Sequence, residues 1–426
     1  MSPLSFFFRL FRHFRREVWQ RRLPHGLLSL RYLWPGQDER IRLHRRLWWQ
    51  GPTLWPRPLW LLLQAGLWLR WVSWHAPLAC FRVLRSHGVY IEAEERLPRH
   101  VQAWRIVKLA LLWCIPPAQA CQFRLYRNPE QALDYVYDHE CAAYHAWRSE
   151  GLGCSLASRR LLKDKAAFTA AMQSQGITMA PILAYASRGR LDTLPLKEGL
   201  KQAGRVFCKM NSGNQGQGAF SAWLTSTGLA GCRFTGQSLP DTLAVESAWL
   251  ELLKLDDALV QPCLTNHPKL APLSFNGEVI TVRFISQWEE RGINSPSASL
   301  SCLCATLEVP AGMDQEGRLY YAILPIAPAT GGVGAPICGV AEPPDIRAAT
   351  ARVARDARNL DALPEWLRIV ESSCSAHRRY ALGVRAVAWD WVLTPKGPVL
   401  LEGNVGWGCS VPQLIRPGLG FARPDP

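Results

Sequence analysis

The chain has 426 residues, 48% of them apolar, a formal net charge of +15, and 13 Cys, 31 Pro and 32 Gly. Such a chain holds two or three domains with a sizeable core and many loops. An odd cysteine count, with no C-x-x-C pair and no signal peptide, excludes a disulfide framework and sets the expectation of reduced thiols in the cytoplasm. The one close pair, Cys302-Leu-Cys304, falls on one strand face by alternation, as small core residues.

Charge is concentrated at the start of the chain. Residues 1–100 hold 17 Arg, no Lys and 6 Asp or Glu, a net of +11, and 11 of the 19 Trp fall by Trp113. Met1–Arg22 interleaves Phe6, Phe7, Phe8 and Phe11 with Arg, so it lacks the apolar stretch of a signal peptide. Pro58–Leu69 is uncharged, but at 12 residues it is too short to span a bilayer. Two readings stand side by side. One is an in-plane segment peripheral to the inner face of the membrane, with Trp and Phe among headgroups and Arg against anionic lipid. The other is a helical subdomain with Trp and Leu as core and Arg as its wet face. Nucleic acid is a poorer fit, because no recognition motif accompanies the basic, aromatic composition. A boundary near Cys121–Asn128 divides the chain into a helical, basic, Trp-rich region 1–125, a lobe 126–265 and a lobe 266–426. His139-Glu140 followed by His145 misses the spacing of a helical zinc motif.

From Leu162 to Gly176 the pattern predicts a short amphipathic helix. Asp164 is its N-cap, Phe168, Ala171 and Met172 its apolar stripe, and Gly176 its stop. Lys165 in the first turn opposes the helix dipole, which suits an anion better than it suits the helix. A strand is expected over Ile177–Tyr185. Val206–Phe220 reads as strand, glycine-rich turn, strand: Lys209 ends the first strand, and Ser212, Gly213, Gln215, Gly216 and Gly218 lie in the turn. Glycines there let backbone N–H groups approach phosphate oxygens, although a glycine-rich hairpin is commonly just a hairpin. Neither the P-loop nor the dinucleotide G-x-G-x-x-G order is present.

A helix near Leu239–Leu255 precedes a buried strand carrying Gln261 and Leu264, which runs into Asn266-His267-Pro268. Strands follow at Glu278–Ser286, Ser299–Glu308 and Leu319–Ile326, then a helix at Pro344–Leu360. The last pair of strands, joined at Pro395-Lys396-Gly397, is the most informative. If those three residues form the loop, Asp390 faces Glu402 and Asn404 shares their face. Two carboxylates and an amide on an apolar hairpin suit a hard cation such as Mg²⁺ shared with nucleotide phosphates. The other reading is a polar face turned to solvent.

In this order the residues resemble an ATP-grasp enzyme over roughly residues 126–412. Asn266-His267-Pro268, Thr281-Val-Arg283 and Thr330-Gly331-Gly332-Val-Gly334 resemble a branch of that superfamily, the sugar-transfer-associated proteins related to alpha-L-glutamate ligases. The resemblance implies an α+β fold: two lobes clamping ATP, with residues 1–125 as a helical extension. It places Lys165 and Lys209 on the nucleotide phosphates and the Ser212–Gly218 loop, Gln215 included, over them. Gln261 and Leu264 hold the adenine edge, and Asn266 or His267 stands where relatives place a ribose-binding carboxylate. Asp390, Glu402 and Asn404 bind one or two Mg²⁺. Arg283 either stabilises the transferred phosphoryl group or forms a structural ion pair. Arg385 and the Gly331–Gly334 loop are candidates to hold an acceptor carboxylate.

The chemistry so implied is phosphorylation of a carboxylate to an acyl phosphate, then displacement of phosphate by an amine or similar nucleophile, in surface-polysaccharide or cell-envelope biosynthesis. Phosphoryl transfer needs positioning and charge neutralisation more than a covalent nucleophile. The alternatives are phosphoryl transfer to a non-carboxylate acceptor, and a scaffold that binds nucleotide or membrane without turnover.

Overall fold

The computed structural model describes Phe11, Leu152 and residues 38–50, 56–150, 156–190, 192–213, 216–289, 299–313, 319–339 and 341–416. They belong to two compact units: 1–150 with 338–343 and 406–426, and 151–337 with 344–405. These units do not follow the divisions expected at 125/126 and 265/266. Residues 126–150 go with the N-terminal helices, and both sheets lie in the second unit.

The first unit is helical among its described residues: α1 (Glu39–Trp49), α2 (Arg57–Arg70), α3 (Ala76–Glu95), α4 (Arg99–Trp113), α5 (Pro117–Gln122) and α6 (Cys141–Arg148). Asp38 caps α1 by accepting from the Arg40 amide at 2.9 Å, and Pro58 and Pro77 sit in first turns, where a missing N–H is harmless. The core gathers Leu47, Trp71, Ile91, Ile106, Tyr126 and Tyr137. Deep within it, His44 Nδ1 lies 2.8 Å from Glu140 Oε1, and its Nε2 lies 3.1 Å from the Leu133 carbonyl. Both ring nitrogens face acceptors, so both carry protons and the ring is an imidazolium. Burial pushes the His44 pKa down, but Glu140 overrides it and the net is upward. Glu140 is lowered against its own burial. No helix among the described residues is long and apolar enough to cross a membrane.

The second unit holds two antiparallel sheets, as the α+β expectation requires. Their strands are β1 (Ala184–Ala186), β2 (Arg205–Met210), β3 (Phe220–Thr225), β4 (Gly228–Arg233), β5 (Ser238–Leu239), β6 (Ala258–Pro262), β7 (Thr281–Trp288), β8 (Leu300–Met313), β9 (Leu319–Pro325), β10 (Ala386–Thr394) and β11 (Gly397–Asn404). The first sheet has six strands in the order β1-β6-β2-β3-β4-β5 and the second five, β11-β10-β7-β8-β9. Helix α8 (Lys165–Gln173) follows α7 (Leu156–Lys163), and α9 (Leu194–Ala203) and α10 (Thr242–Leu255) back the first sheet around Trp249 and Leu252. Helices α11 (Pro344–Asp356) and α12 (Trp366–Tyr380) belong with the second sheet. Every residue of β10 is buried, as expected of a central strand covered on both faces. Helix α8 joins the second sheet's core, where Phe168 stacks 6.4 Å from Trp389.

Several expectations need correction. The strand expected from Ile177 is confined to Ala184–Ala186. Pro181 has no N–H for a ladder, and the earlier residues make only an isolated bridge, Met179 to Leu400. Helix α10 starts at Thr242 rather than Leu239, behind the Asp241 cap, whose carboxylate accepts from the Ala244 amide at 2.8 Å. The helix from Pro344 ends at Asp356 and tightens into a 3₁₀ turn at Ala357–Asn359. Helices α6, α7, α9 and α12 were not foreseen.

Candidate functional site

The β10–β11 hairpin builds half of the site, by a different route from the expected one. Its loop is two residues, Pro395-Lys396, because Gly397 pairs with Thr394, at a φ of 108° that favours glycine. That register would slide Asp390 past Glu402. A β-bulge between Asp390 and Trp391 absorbs one residue, Leu401, and restores the Asp390–Glu402 pair. Bulges commonly re-aim a side chain beside a functional site. Asn404 completes the group. Its Nδ2 donates to Glu402 Oε1 at 2.9 Å and Asp390 Oδ2 at 3.2 Å.

Arg283 pairs across β7 with Asp390 and binds it with two bonds, Nε to Oδ1 at 2.8 Å and Nη2 to Oδ2 at 3.1 Å. Its Nη1 lies 3.0 Å from Glu308 Oε1 on β8, near enough for ionic attraction but off the hydrogen-bonding direction. Burial pushes the Asp390 carboxyl above its usual range, against the pull of Arg283, and Glu402 adds to the rise. Glu308 is raised by burial too, again against Arg283. The guanidinium, which burial alone would lower, is raised by these acids.

The cationic half comes from α8 and β2. Asp164 caps α8 by accepting from the Ala167 amide at 3.0 Å. Asn211, just past β2, clips the two elements together: its Oδ1 accepts from the Ala166 amide at 2.9 Å, and its Nδ2 donates to Asp164 Oδ1 at 3.0 Å. The clip sets Lys165 beside the end of β2, where its ammonium donates to the Gly213 carbonyl and lies 4.0 Å from Glu402 Oε2. Removing the clip with Asn211→Ala is expected to cost about 1–3 kcal/mol, read from a shifted denaturant midpoint.

Lys209 is different. Among the described residues its ammonium has no hydrogen-bond or salt-bridge partner. Desolvation lowers its pKa to about 8, with Glu402 opposing and Lys165 assisting the fall. Lys165 is lowered by desolvation as well. Two desolvated ammonium groups that would ionise better beside an anion make a receptor for one. Anion affinity at this site is therefore expected to fall as pH rises through about 8, where Lys209 loses its proton. Without anion, the folded-state pKa of about 8 lies below the unfolded 10.5, so the group opposes folding below about 8 and this opposition fades as pH rises toward 10.5. Thermal melts across that range, with and without a polyphosphate, check both directions.

The glycine loop is anchored at one end. The Ser212 amide donates to Asp256 Oδ2 at 2.8 Å and its hydroxyl donates to the same oxygen. Gly216 and Gly218 have φ of 64° and 70°, and a Cβ on Gly216 would sit 2.5 Å from the Phe234 ring. Gln215 lies outside the described residues. Gln261 is buried, its amide donating to the Ala180 carbonyl at 2.9 Å, while the Leu264 peptide groups have no hydrogen-bond partner among the described residues.

Asn266 is spent on structure. It accepts from the Ile280 amide at 2.9 Å and donates to the Glu278 carbonyl at 2.8 Å. His267 turns its Nδ1 to the Lys269 amide, 3.1 Å away. Arg385 is buried but precedes β10, about 16 Å along the chain direction from Asp390 by strand rise, and is not brought to the cluster. Gly331 backs onto Trp366, where a Cβ would meet the ring at 2.6 Å. Sequence reasoning missed Asn211, Asp256 and Glu308. Only Asn211, two residues past Lys209, had a nearby signal.

The donor set suits Mg²⁺ held partly by phosphates. Asp390 and Glu402 retain lone pairs beyond those given to Arg283 and Asn404, and the Asn404 carbonyl oxygen adds a neutral donor. No group of three His, Cys, Asp or Glu among the described residues gathers to hold a metal without such help.

No protein-family model matches the chain, and no curated protein sequence is similar to it. Solved structures do match. D-alanyl-alanine synthetase A from Vibrio cholerae O1 biovar eltor is 12% identical over 60% of this chain and 58% of its own, with a TM-score of 0.36. VanG D-Ala:D-Ser ligase from Enterococcus faecalis is 14% identical over 64% and 62%, with a TM-score of 0.37. ATP-grasp ligase PsnB, complexed with a precursor variant, Mg and ADP, is 12% identical over 68% and 63%, with a TM-score of 0.33. The chain thus spans less than two thirds of each of these proteins. At such TM-scores the likeness assigns neither substrate nor residue roles.

Proposed function

We propose that the chain is an ATP- and Mg²⁺-dependent ligase of the ATP-grasp kind, which activates a carboxylate as an acyl phosphate for attack by an amine or similar nucleophile. The observation that carries this reading is Lys209: a desolvated ammonium with no hydrogen-bond or salt-bridge partner among the described residues, within electrostatic range of both Lys165 and Glu402. When bound, ATP supplies the phosphoryl group and Mg²⁺ neutralises its charge. Lys165 and Lys209 bind the phosphates, and the amides around Gly216 and Gly218 close over them. Asp390, Glu402 and Asn404 hold the cation. The open peptide groups of Leu264 accept the adenine edge, with Gln261 fixing that strand by its bond to Ala180. Arg283 orients Asp390 and opposes the rise that burial imposes on its carboxyl. A role in surface-polysaccharide or cell-envelope biosynthesis rests on the Asn266-His267-Pro268 and Thr330–Gly334 resemblance.

Trapping with hydroxylamine tests the reaction class. A candidate carboxylate that drives ADP release is expected to yield a hydroxamate. ADP release with phosphate on the acceptor and no hydroxamate would assign phosphoryl transfer to a non-carboxylate acceptor instead.

A further inference from the structure

Helix α2 is apolar on both faces. It buries Trp60 and Leu67 beside Gln64, its one uncharged polar side chain, yet Leu62 is 69% and Leu69 59% exposed. A helix facing water carries polar residues on its outer face. No charge interrupts Pro58–Leu69, so nothing on the outer face of α2 between Arg57 and Arg70 favours water. A π turn over Trp71–His75 joins α2 to α3 without a break, a feature often found at functional positions. The exposed line continues through it to Trp74, 67% exposed, and Phe81, 62%.

The rim of this line is cationic. Arg57 begins α2, Arg70 ends it, and Arg82 and Arg85 on α3 are exposed with no acidic partner among the described residues. The acidic end of α3 is already neutralised: Glu92 pairs with Arg99, and Glu95 with Arg124 and Arg127. Leucine and tryptophan edged by the exposed Arg82 and Arg85 match the boundary between acyl chains and anionic headgroups. A second copy of the chain fits poorly, since it would set like-charged rims against each other. The apolar line gives nucleic-acid phosphates nothing to bind.

We propose that the outer face of α2, the π turn and α3 docks on an anionic lipid surface, lying in its plane with Leu62, Leu69, Trp74 and Phe81 inserted and Arg82 and Arg85 on the headgroups. The length of the uncharged stretch keeps it in the interface rather than across the bilayer. This unit folds around its own core, so a helical subdomain is compatible with a lipid-facing side.

Co-sedimentation of the full chain with vesicles tests this, independently of any nucleotide site. The wild type is expected to sediment with phosphatidylcholine vesicles containing phosphatidylglycerol, much less with phosphatidylcholine alone, and less as salt rises. Leu62→Glu/Leu69→Glu, both exposed positions whose fold circular dichroism can confirm, is expected to weaken binding about tenfold or more. Arg82→Glu/Arg85→Glu is expected to remove the anionic preference even if the leucine variant fails to fold. The proposal is overturned if the wild type stays in solution at low salt, or if the folded leucine variant binds as well as wild type. It is also overturned if a wild-type dimer that ignores vesicles becomes monomeric in that variant, which would give the face to a second copy.

Discussion

Arg283→Met is expected to lower stability by about 3–5 kcal/mol, because it strands Asp390 and Glu308 in the second sheet without their shared counter-charge. Both carboxyls already stand above their usual range in the presence of the arginine, and they would rise further without it. A carboxyl whose folded pKa exceeds its unfolded one opposes folding above that pKa and ceases to oppose it once protonated. The deficit of the variant is therefore expected to shrink as pH falls through the carboxylate range. Urea titrations of both proteins at several pH values measure it. A variant as stable as wild type would show that Arg283 is not the structural partner of these acids.

His44→Ala is the second large effect. It leaves Glu140, buried and accepting from the Tyr137 amide at 3.1 Å, without its imidazolium counter-charge, and is expected to cost about 3–5 kcal/mol. The two members of the pair set its pH window. His44 has its folded pKa raised above 6.5, so its contribution is complete below 6.5 and is lost as pH rises through the raised value. Glu140 has its folded pKa depressed below 4.5, so its contribution is present above 4.5 and is lost as pH falls through the depressed value. The gap between wild type and variant is expected to be widest between 4.5 and 6.5. Melting temperatures taken from pH 5.5 upward read this directly, and a gap already lost below pH 6.5 would remove the charged pair from the account.

What the sequence disclosed, and what it hid, follows from the range of the interactions. The Asp390–Glu402 pairing was reached through a three-residue loop that is not there; the two-residue loop and the bulge that absorbs Leu401 offset each other. Neither the shorter loop nor the bulge was legible, since they depend on how Gly397 and Leu401 sit against neighbouring strands. The Asp164 cap and the Gly176 stop of α8 were legible because both are local.

The Asn211 clip joins residues 47 positions apart, and the His44–Glu140 pair residues 96 apart. No spacing rule reaches that far. Helix α12 was hidden because its buried face carries Ser373 and His377 among the apolar residues, where they hydrogen-bond to Trp391 and Ser286. The charge and tryptophan content of the N-terminal region was plain in the sequence. That Gln64 points inward and Leu62 outward could come only from the folded unit.

The central claim is that Lys165, Lys209, Asp390, Glu402 and Asn404 form one nucleotide and cation site. Calorimetric titration of ATP, with and without Mg²⁺, into wild type and a folded Glu402→Ala variant tests it most directly. The expected result is Mg²⁺-dependent binding by wild type that the variant loses. Absence of ATP binding by well-folded wild type, or binding by the variant with unchanged Mg²⁺ dependence, would contradict it.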